Sequence, residues 1–232
     1  MPIQVGIQLA TVARKAVRLT DELVFRVEGG KVRVYAIHPS FLAAVAFNAG
    51  DAIGEEEGNT FAVRAKHVAS AEGLRYDIDV EQDRLFVKYV TKKGAEVEKY
   101  LPMYTVTYDV GFIAELASRQ YAEVPVVVSV LESALDELEA EDIEPVSLVV
   151  DGDTMTLSVA SVAGQTKVRV KLGSPAPRKL EALLQYDILR DVVEVMSVHD
   201  HEVLFGMDEA GVVRFRGKSG LAEAYVAQVK SE

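Results

Sequence analysis

Residues 25–47 read FRVEGGKVRVYAIHPSFLAAVAF. Apolar and polar residues alternate through Phe25-Arg26-Val27-Glu28 and again through Lys31-Val32-Arg33-Val34, so each run turns one side to a core and the other to water. Gly29-Gly30 between them supplies the positive backbone angles that a tight hairpin turn requires. His38-Pro39-Ser40 then breaks the chain, and LAAVAF follows as a continuous apolar run of strand length. Three strands in so short a stretch point to a fold assembled from hairpins.

Working outward, IQVGI, FAVRA, YDIDV, RLFVKYV and EVEKYL also fit short strands, with turns at Gln82-Asp83 and Lys92-Lys93-Gly94. Between them, LATVARKAVRLT has helical period. Leu9, Val12, Ala13, Ala16 and Val17 make its apolar face, and Thr11, Arg14, Lys15 and Arg18 its polar one. A shorter helix starts near Ala65 and is closed by Gly73. The second half repeats this order. VPVVVSV reads as a strand and LESALDELEAE as a helix, with Leu131, Ala134, Leu135 and Leu138 inward and Glu132, Asp136, Glu137, Glu139, Glu141 and Asp142 on or beside its polar face. SLVVDGDTMTLSVAS is a hairpin, TKVRVKLG a strand, and QYDILRDVVEVM a helix resting on Leu189, Val192, Val193 and Met196. EVLFGMDEAGVVRFRG is another hairpin and LAEAYVAQV a last strand. The elements are duplicated although the residues are not. The expected class is α+β, with two similar lobes at 1–102 and 124–232, each carrying two helices on antiparallel sheets. Residues 103–123 form a connector that is long for a compact domain, and long loops are often functional.

The chain has 232 residues and a net charge of −11, with no cysteine. Disulfides, thiolate metal sites and a cysteine nucleophile are therefore excluded. Residues 1–120 hold 15 basic and 16 acidic side chains, residues 121–232 hold 10 and 20. An acidic chain does not hold nucleic acid by bulk electrostatics, so any such role needs a local basic stripe or a topological link. No apolar run approaches the roughly 18 residues of a membrane span, so no membrane partner is expected. The N-terminus lacks the basic-then-apolar order of a secretory leader, which implies an intracellular protein.

With this order established, FRVEGGKVRVYAIHPSFLAAVAF resembles the first-lobe hairpin, turn and strand of sliding clamps of the proliferating cell nuclear antigen type, archaeal forms included. YDVGFIAEL resembles their interdomain connecting loop, and GVVRFRGKSGLAEAYVAQVK their closing hairpin and C-terminal strand. The resemblance covers the chain in order and length. It departs at His38, where the family has aspartate, at Phe41, where it has histidine, and at Gln228, where it has proline.

The resemblance implies a ring of three two-lobed subunits around duplex DNA, serving replication and DNA repair as a processivity factor. It implies no catalysis, no cofactor and no metal. Its expected partners are DNA polymerase, a clamp loader and other proteins carrying a peptide motif. The compartment would be the cytoplasm of a prokaryote, with an archaeal source expected, or the nucleus of a eukaryote. DNA-facing cations would be Arg14, Lys15, Arg18, Lys66 and Arg190, although the helix at 131–142 is acidic where such a ring wants cations. In TKVRVKL, Lys167, Arg169 and Lys171 leave one face of a strand, and Glu96 and Glu98 share a face of another. By the family's topology these are the edges that join subunits, and opposite charges there favour head-to-tail joining. A peptide pocket is expected from Phe41, Leu42, Phe112, Ile113, Leu116, Ala227, Gln228 and Val229. Two other readings stand beside it. One is a member of a heterotrimeric ring, or a clamp-like protein that does not grip DNA. The other is a β-rich metal-dependent enzyme using His199 and His201.

Overall fold

The computed structural model describes residues 3–5, 9–51, 58–71, 76–81, 84–106, 109–138, 144–161 and 164–229. The expectations for Gly73, the turn at 82–83, and Glu139, Glu141 and Asp142 lie outside them. The chain forms two compact units, Met1–Ile37 with Ala46–Phe112, and His38–Val45 with Ile113–Glu232.

The first unit holds β1 (Ile3–Val5), α1 (Leu9–Ala16), β2 (Glu22–Glu28), β3 (Lys31–Ile37), most of β4 (Ala43–Asp51), β5 (Thr60–Arg64), α2 (Ala65–Ala69), β6 (Tyr76–Glu81), β7 (Arg84–Val90) and β8 (Glu96–Pro102). β2 pairs with β3 and β5. β1 pairs with β6, and β6, β7 and β8 continue as an antiparallel meander. Gly29 (φ 59°) and Gly30 (φ 71°) take the positive angles that the hairpin sequence predicts. The buried ring of Phe25 stacks on Phe61 at 5.2 Å, a cross-strand pair between β2 and β5.

The second unit holds β9 (Ala122–Val127), α4 (Val128–Asp136), β10 (Pro145–Asp151), β11 (Thr154–Ser161), β12 (Gly164–Lys171), β13 (Leu180–Gln185), α5 (Tyr186–Met196), β14 (Glu202–Met207), β15 (Val213–Gly217) and β16 (Ala222–Val226). Its strands form two antiparallel sets, β12-β11-β10-β13 and β9-β14-β15-β16. The second set repeats β1-β6-β7-β8 of the first unit, and β10 beside β13 repeats β2 beside β5. The helices fall at matching places, α1 after β1 and α4 after β9, α2 after β5 and α5 after β13.

Four local readings need correction. The valine run VPVVVSV is not wholly strand. β9 stops at Val127, and Val128 N–H donates to His201 C=O (2.9 Å) while already opening α4. LEALLQ, absent from the predicted strands, is β13, and its alternating burial of Leu180, Ala182 and Leu184 was the available signal. The connector is not all loop. It contains α3 (Gly111–Ser118), entered through Asp109, whose Oδ1 accepts the Gly111 N–H (2.8 Å), and its last two residues start β9. Val17, assigned to the apolar face of the first helix, lies just past the end of α1 and is 38% exposed.

Leu131, fully buried, pins α4 beside Ala134 and Leu135. Leu131→Ala should lower the unfolding free energy by about 2–5 kcal/mol, through lost burial and the cavity left behind. A urea midpoint unchanged from wild type would exclude α4 from the cooperative core.

Candidate functional site

In the first unit, α1 and α2 pack against each other. Arg14 and Arg18 are exposed and Lys15 half-buried, Arg18 lying two residues beyond the end of α1. Arg14 donates to Thr11 Oγ1 (3.3 Å) along the helix face. Lys66 on α2 is exposed and lines a cleft of about 410 Å³ with Val17, Thr20, Asp21, Arg64, His67 and Tyr104. Arg64, whose guanidinium lies 5.4 Å from the Tyr104 ring centroid, and His67 are basic groups the sequence reading passed over. The run RAKH at 64–67 was the signal for them. Asp21 is the one carboxylate lining this cleft.

The corresponding helices of the second unit are different. Asp136 and Glu137 are exposed at the end of α4, while Leu131, Ala134, Leu135 and Leu138 are buried beneath. Arg190 on α5 lies 3.6 Å from Glu194 and 4.0 Å from Asp136. Its charge is therefore met within the unit, and the face it belongs to stays acidic.

The two charged strands are both borders. β8 ends the β1-β6-β7-β8 set and β12 ends the β12-β11-β10-β13 set, and among the described residues no strand covers the outer side of either. Glu96, Glu98 and Tyr100 are exposed on β8, as are Lys167, Arg169 and Lys171 on β12. Lys88 ties Glu96 (3.3 Å) and Glu98 (3.6 Å) from the adjacent β7, and hydrogen bonding to Glu96 raises the pKa of its amine. Lys171 pairs with Asp153 at 2.5 Å. Beside β12 lies a cleft of about 290 Å³ lined by Pro125, Val127, Val130, Val170 and Leu172 among others. Val127 and Val130 are 46% and 43% exposed there. β16, the counterpart of β8, is different: its outer side is covered by the start of β4, whose residues 43–45 belong to the same unit.

The residues assigned to a peptide pocket are held in different ways. Phe41 is 55% exposed in a turn held by its N–H on His38 C=O (2.8 Å), with φ at 57°, a strained value for an aromatic residue. Leu42 C=O accepts the Ala227 N–H (2.8 Å). On α3, Phe112 and Leu116 are half-buried, and Ile113 is buried and serves the core. Gln228 is held by its own side chain: Oε1 accepts the Leu183 N–H (3.2 Å) and Nε2 donates to Gly211 C=O (2.8 Å). Val229 N–H donates to Leu183 C=O (2.9 Å). The adjoining cleft, about 740 Å³, is bordered by charges that sequence reasoning missed, including Arg119, Glu123, Arg178 and Asp208. Arg119 reaches buried Asp208 at 3.0 Å, and Arg214 bonds Glu123 (2.6 Å) while lying 3.9 Å from the Tyr121 ring centroid. These contacts join residues 89 and 91 positions apart, a separation that hides them from local pattern.

His199 and His201 precede β14 rather than sharing a strand face; His199 is half-buried and His201 exposed. Among the described residues no three His, Asp or Glu side chains converge in a way that could hold a metal ion. Burial lowers the His199 pKa, against the opposing pull of Asp200.

No family model and no curated protein matches the sequence. Solved structures do match. The PCNA2–PCNA3 complex of Sulfolobus tokodaii aligns with TM-score 0.76 at 13% identity, over 98% of this chain and 99% of that one. PCNA from Thermococcus kodakaraensis aligns with TM-score 0.75 at 15% identity, over 98% and 99%. A protein assigned as a DNA polymerase III beta subunit, from Eubacterium rectale, aligns with TM-score 0.80 at 13% identity, over all of this chain and 66% of that one. At these identities the likeness establishes the fold, which is that of the DNA clamps: α+β, two similar lobes, helices on antiparallel sheets.

His199 generates a prediction with a definite sign. The unfolded chain takes up its imidazole proton near pH 6.5, whereas the folded chain resists until lower pH. Stability is thus full above about pH 6.5 and falls as pH drops below it. The urea midpoint should fall between pH 7.5 and 5.5, and His199→Leu should flatten that difference. An undiminished difference in the variant would acquit His199.

Proposed function

We propose that this chain is a subunit of a sliding clamp, a protein that encircles duplex DNA and tethers polymerases and other DNA enzymes without catalysing a reaction. One observation carries the reading. The fold is duplicated, and in the second unit β16 is covered by the start of β4. By the duplication, the counterparts of β16 and β4 are β8 and β12, whose outer sides, like that of β9, no strand covers among the described residues. A second copy can therefore bring its β8 to β12 by the same kind of pairing. Such a contact is heterologous, so repetition closes a ring or runs on as a filament.

The side chains favour that union. Glu96 and Glu98 would meet Lys167, Arg169 and Lys171, and Tyr100 would reach the cleft at Val127 and Val130, placing an aromatic anchor at the centre of a charged rim. Because encirclement holds DNA by topology, the grip can be weak. On this reading Arg14, Lys15, Arg18 and Lys66 meet phosphates irrespective of sequence, whereas Arg64 already lies 3.6 Å from Glu22. Arg190 adds little, being already paired. A clamp loader and polymerases are the expected partners.

A second reading has its own motive, the acidic α4 and α5 faces. In a ring of unlike chains, basic helices of a neighbour would compensate for them, and the Sulfolobus tokodaii structure is a complex of two different chains.

Two measurements test these readings. Lys167→Glu, Arg169→Glu and Lys171→Glu together should weaken association at least tenfold by light scattering. Adding Glu96→Lys and Glu98→Lys should restore it, because the charges are then exchanged rather than removed. A mass unaffected by the triple reversal would remove the β8–β12 joint. Extension of a primed circular template by a polymerase, with a clamp loader, should give longer products when the ring is supplied. A confirmed ring that leaves product length unchanged would end the processivity role. Assembly only after a paralogous chain is added would favour the heteromeric ring.

A further inference from the structure

The first-unit cleft that reaches from the end of α1 to α2 has fixed walls. Thr20 Oγ1 donates to Glu22 C=O (3.0 Å) and accepts the Glu22 N–H (3.2 Å). Ala65 N–H donates to Asp21 C=O (2.8 Å), which ties the turn after α1 to the start of α2. Tyr104 is held by two main-chain bonds with Ala62 (3.0 and 2.9 Å). The Arg64 guanidinium lies 5.4 Å from the Tyr104 ring centroid and 3.6 Å from Glu22.

Three polar groups in the same cleft have no such partners. Among the described residues, no hydrogen bond or ion pair engages the Asp21 carboxylate or the Lys66 amine. Opposite charges thus share the cleft without meeting each other. His67 is the third. Its Nδ1 is buried without a partner, so Nε2 is the nitrogen open to a ligand. A buried N–H with no acceptor is the costlier orphan, so the proton is assigned to Nε2 and His67 is a donor. Tyr104 adds a ring that is 39% exposed.

We propose that this cleft binds a small ribonucleotide. A phosphate accepts from several donors, and Lys66 and His67 supply them. Ribose hydroxyls donate, and the Asp21 carboxylate accepts. A base stacks on an aromatic face, and Tyr104 offers one. The backbone of a DNA duplex does not account for Asp21, because its phosphates are repelled by a carboxylate and its sugars carry no free hydroxyl within the strand. A zwitterionic amino acid answers Lys66 and Asp21 but leaves the imidazole and the phenol ring unused. The volume of about 410 Å³ suits a ligand of nucleotide size. Because the walls are already held, little ordering opposes binding. The inference needs neither ring nor duplex, so it survives or fails apart from the clamp reading.

The test uses the full chain and follows the amides of residues 64–67 by NMR, with the remaining amides reporting the fold. The probes are adenosine 5′-monophosphate, its 2′-deoxy form, inorganic phosphate and glycine. Adenosine monophosphate should shift those amides and bind about tenfold tighter than the deoxy form or inorganic phosphate, the scale of a hydrogen bond to a charged group. Lys66→Met should weaken it about tenfold by the same measure. Asp21→Asn should erase the preference for the ribose form while leaving inorganic phosphate bound no more weakly. Equal affinity for the ribose and deoxy forms, tighter nucleotide binding by Asp21→Asn, glycine bound in preference to the nucleotide, or no shift at residues 64–67 with millimolar nucleotide would each overturn the proposal.

Discussion

A strand at the border of a sheet carries N–H and C=O groups that need partners, and the structure is organised by how each border meets that need. β5 is closed by Tyr104, β13 by Gln228 and Val229, and β16 by the start of β4. β8 and β12 differ. They carry the alternating exposed charges, acidic on one and basic on the other, with an apolar cleft beside β12. Charges on bare borders discourage indiscriminate pairing, and opposite charges on two borders admit one pairing while refusing like with like. The clamp reading rests on that selectivity.

Duplicated topology does not bring duplicated chemistry. α1 and α4 occupy matching places and both rest on small and branched apolar residues, yet the first unit surrounds its helices with Arg14, Arg18, Arg64 and Lys66 and the second with Asp136, Glu137 and Glu194. Core packing is blind to the sign of an outward charge, so the two faces are free to differ while the fold stays the same. Arg190 illustrates the consequence: a cation placed among acids is spent on its neighbours.

Much of the architecture was legible because it is encoded locally. The Gly29-Gly30 hairpin, the basic stripe of 167–171 and the apolar stripe of α5 each follow from period and turn chemistry within a dozen residues. Errors came where neighbours compete. Val128 has strand propensity but helical surroundings, and α3 was hidden in a stretch judged by its length rather than its pattern. The candidate pocket was the least legible feature. Ile113 and Gln228 look available in sequence, but one is spent on the core and the other on Leu183 and Gly211.

By itself, then, the sequence determined the class of the fold, its duplication, and which strands carry which charge, since those depend on residues close along the chain. Only the tertiary structure decided which strands are borders, which borders are already closed, and that Arg119, Glu123, Asp208 and Arg214 form a charged clasp beside the C-terminal residues. Those outcomes depend on groups far apart in the chain meeting, Ala62 with Tyr104 and Leu42 with Ala227 among them, and a backbone N–H or C=O leaves no mark in the sequence of what it will find there.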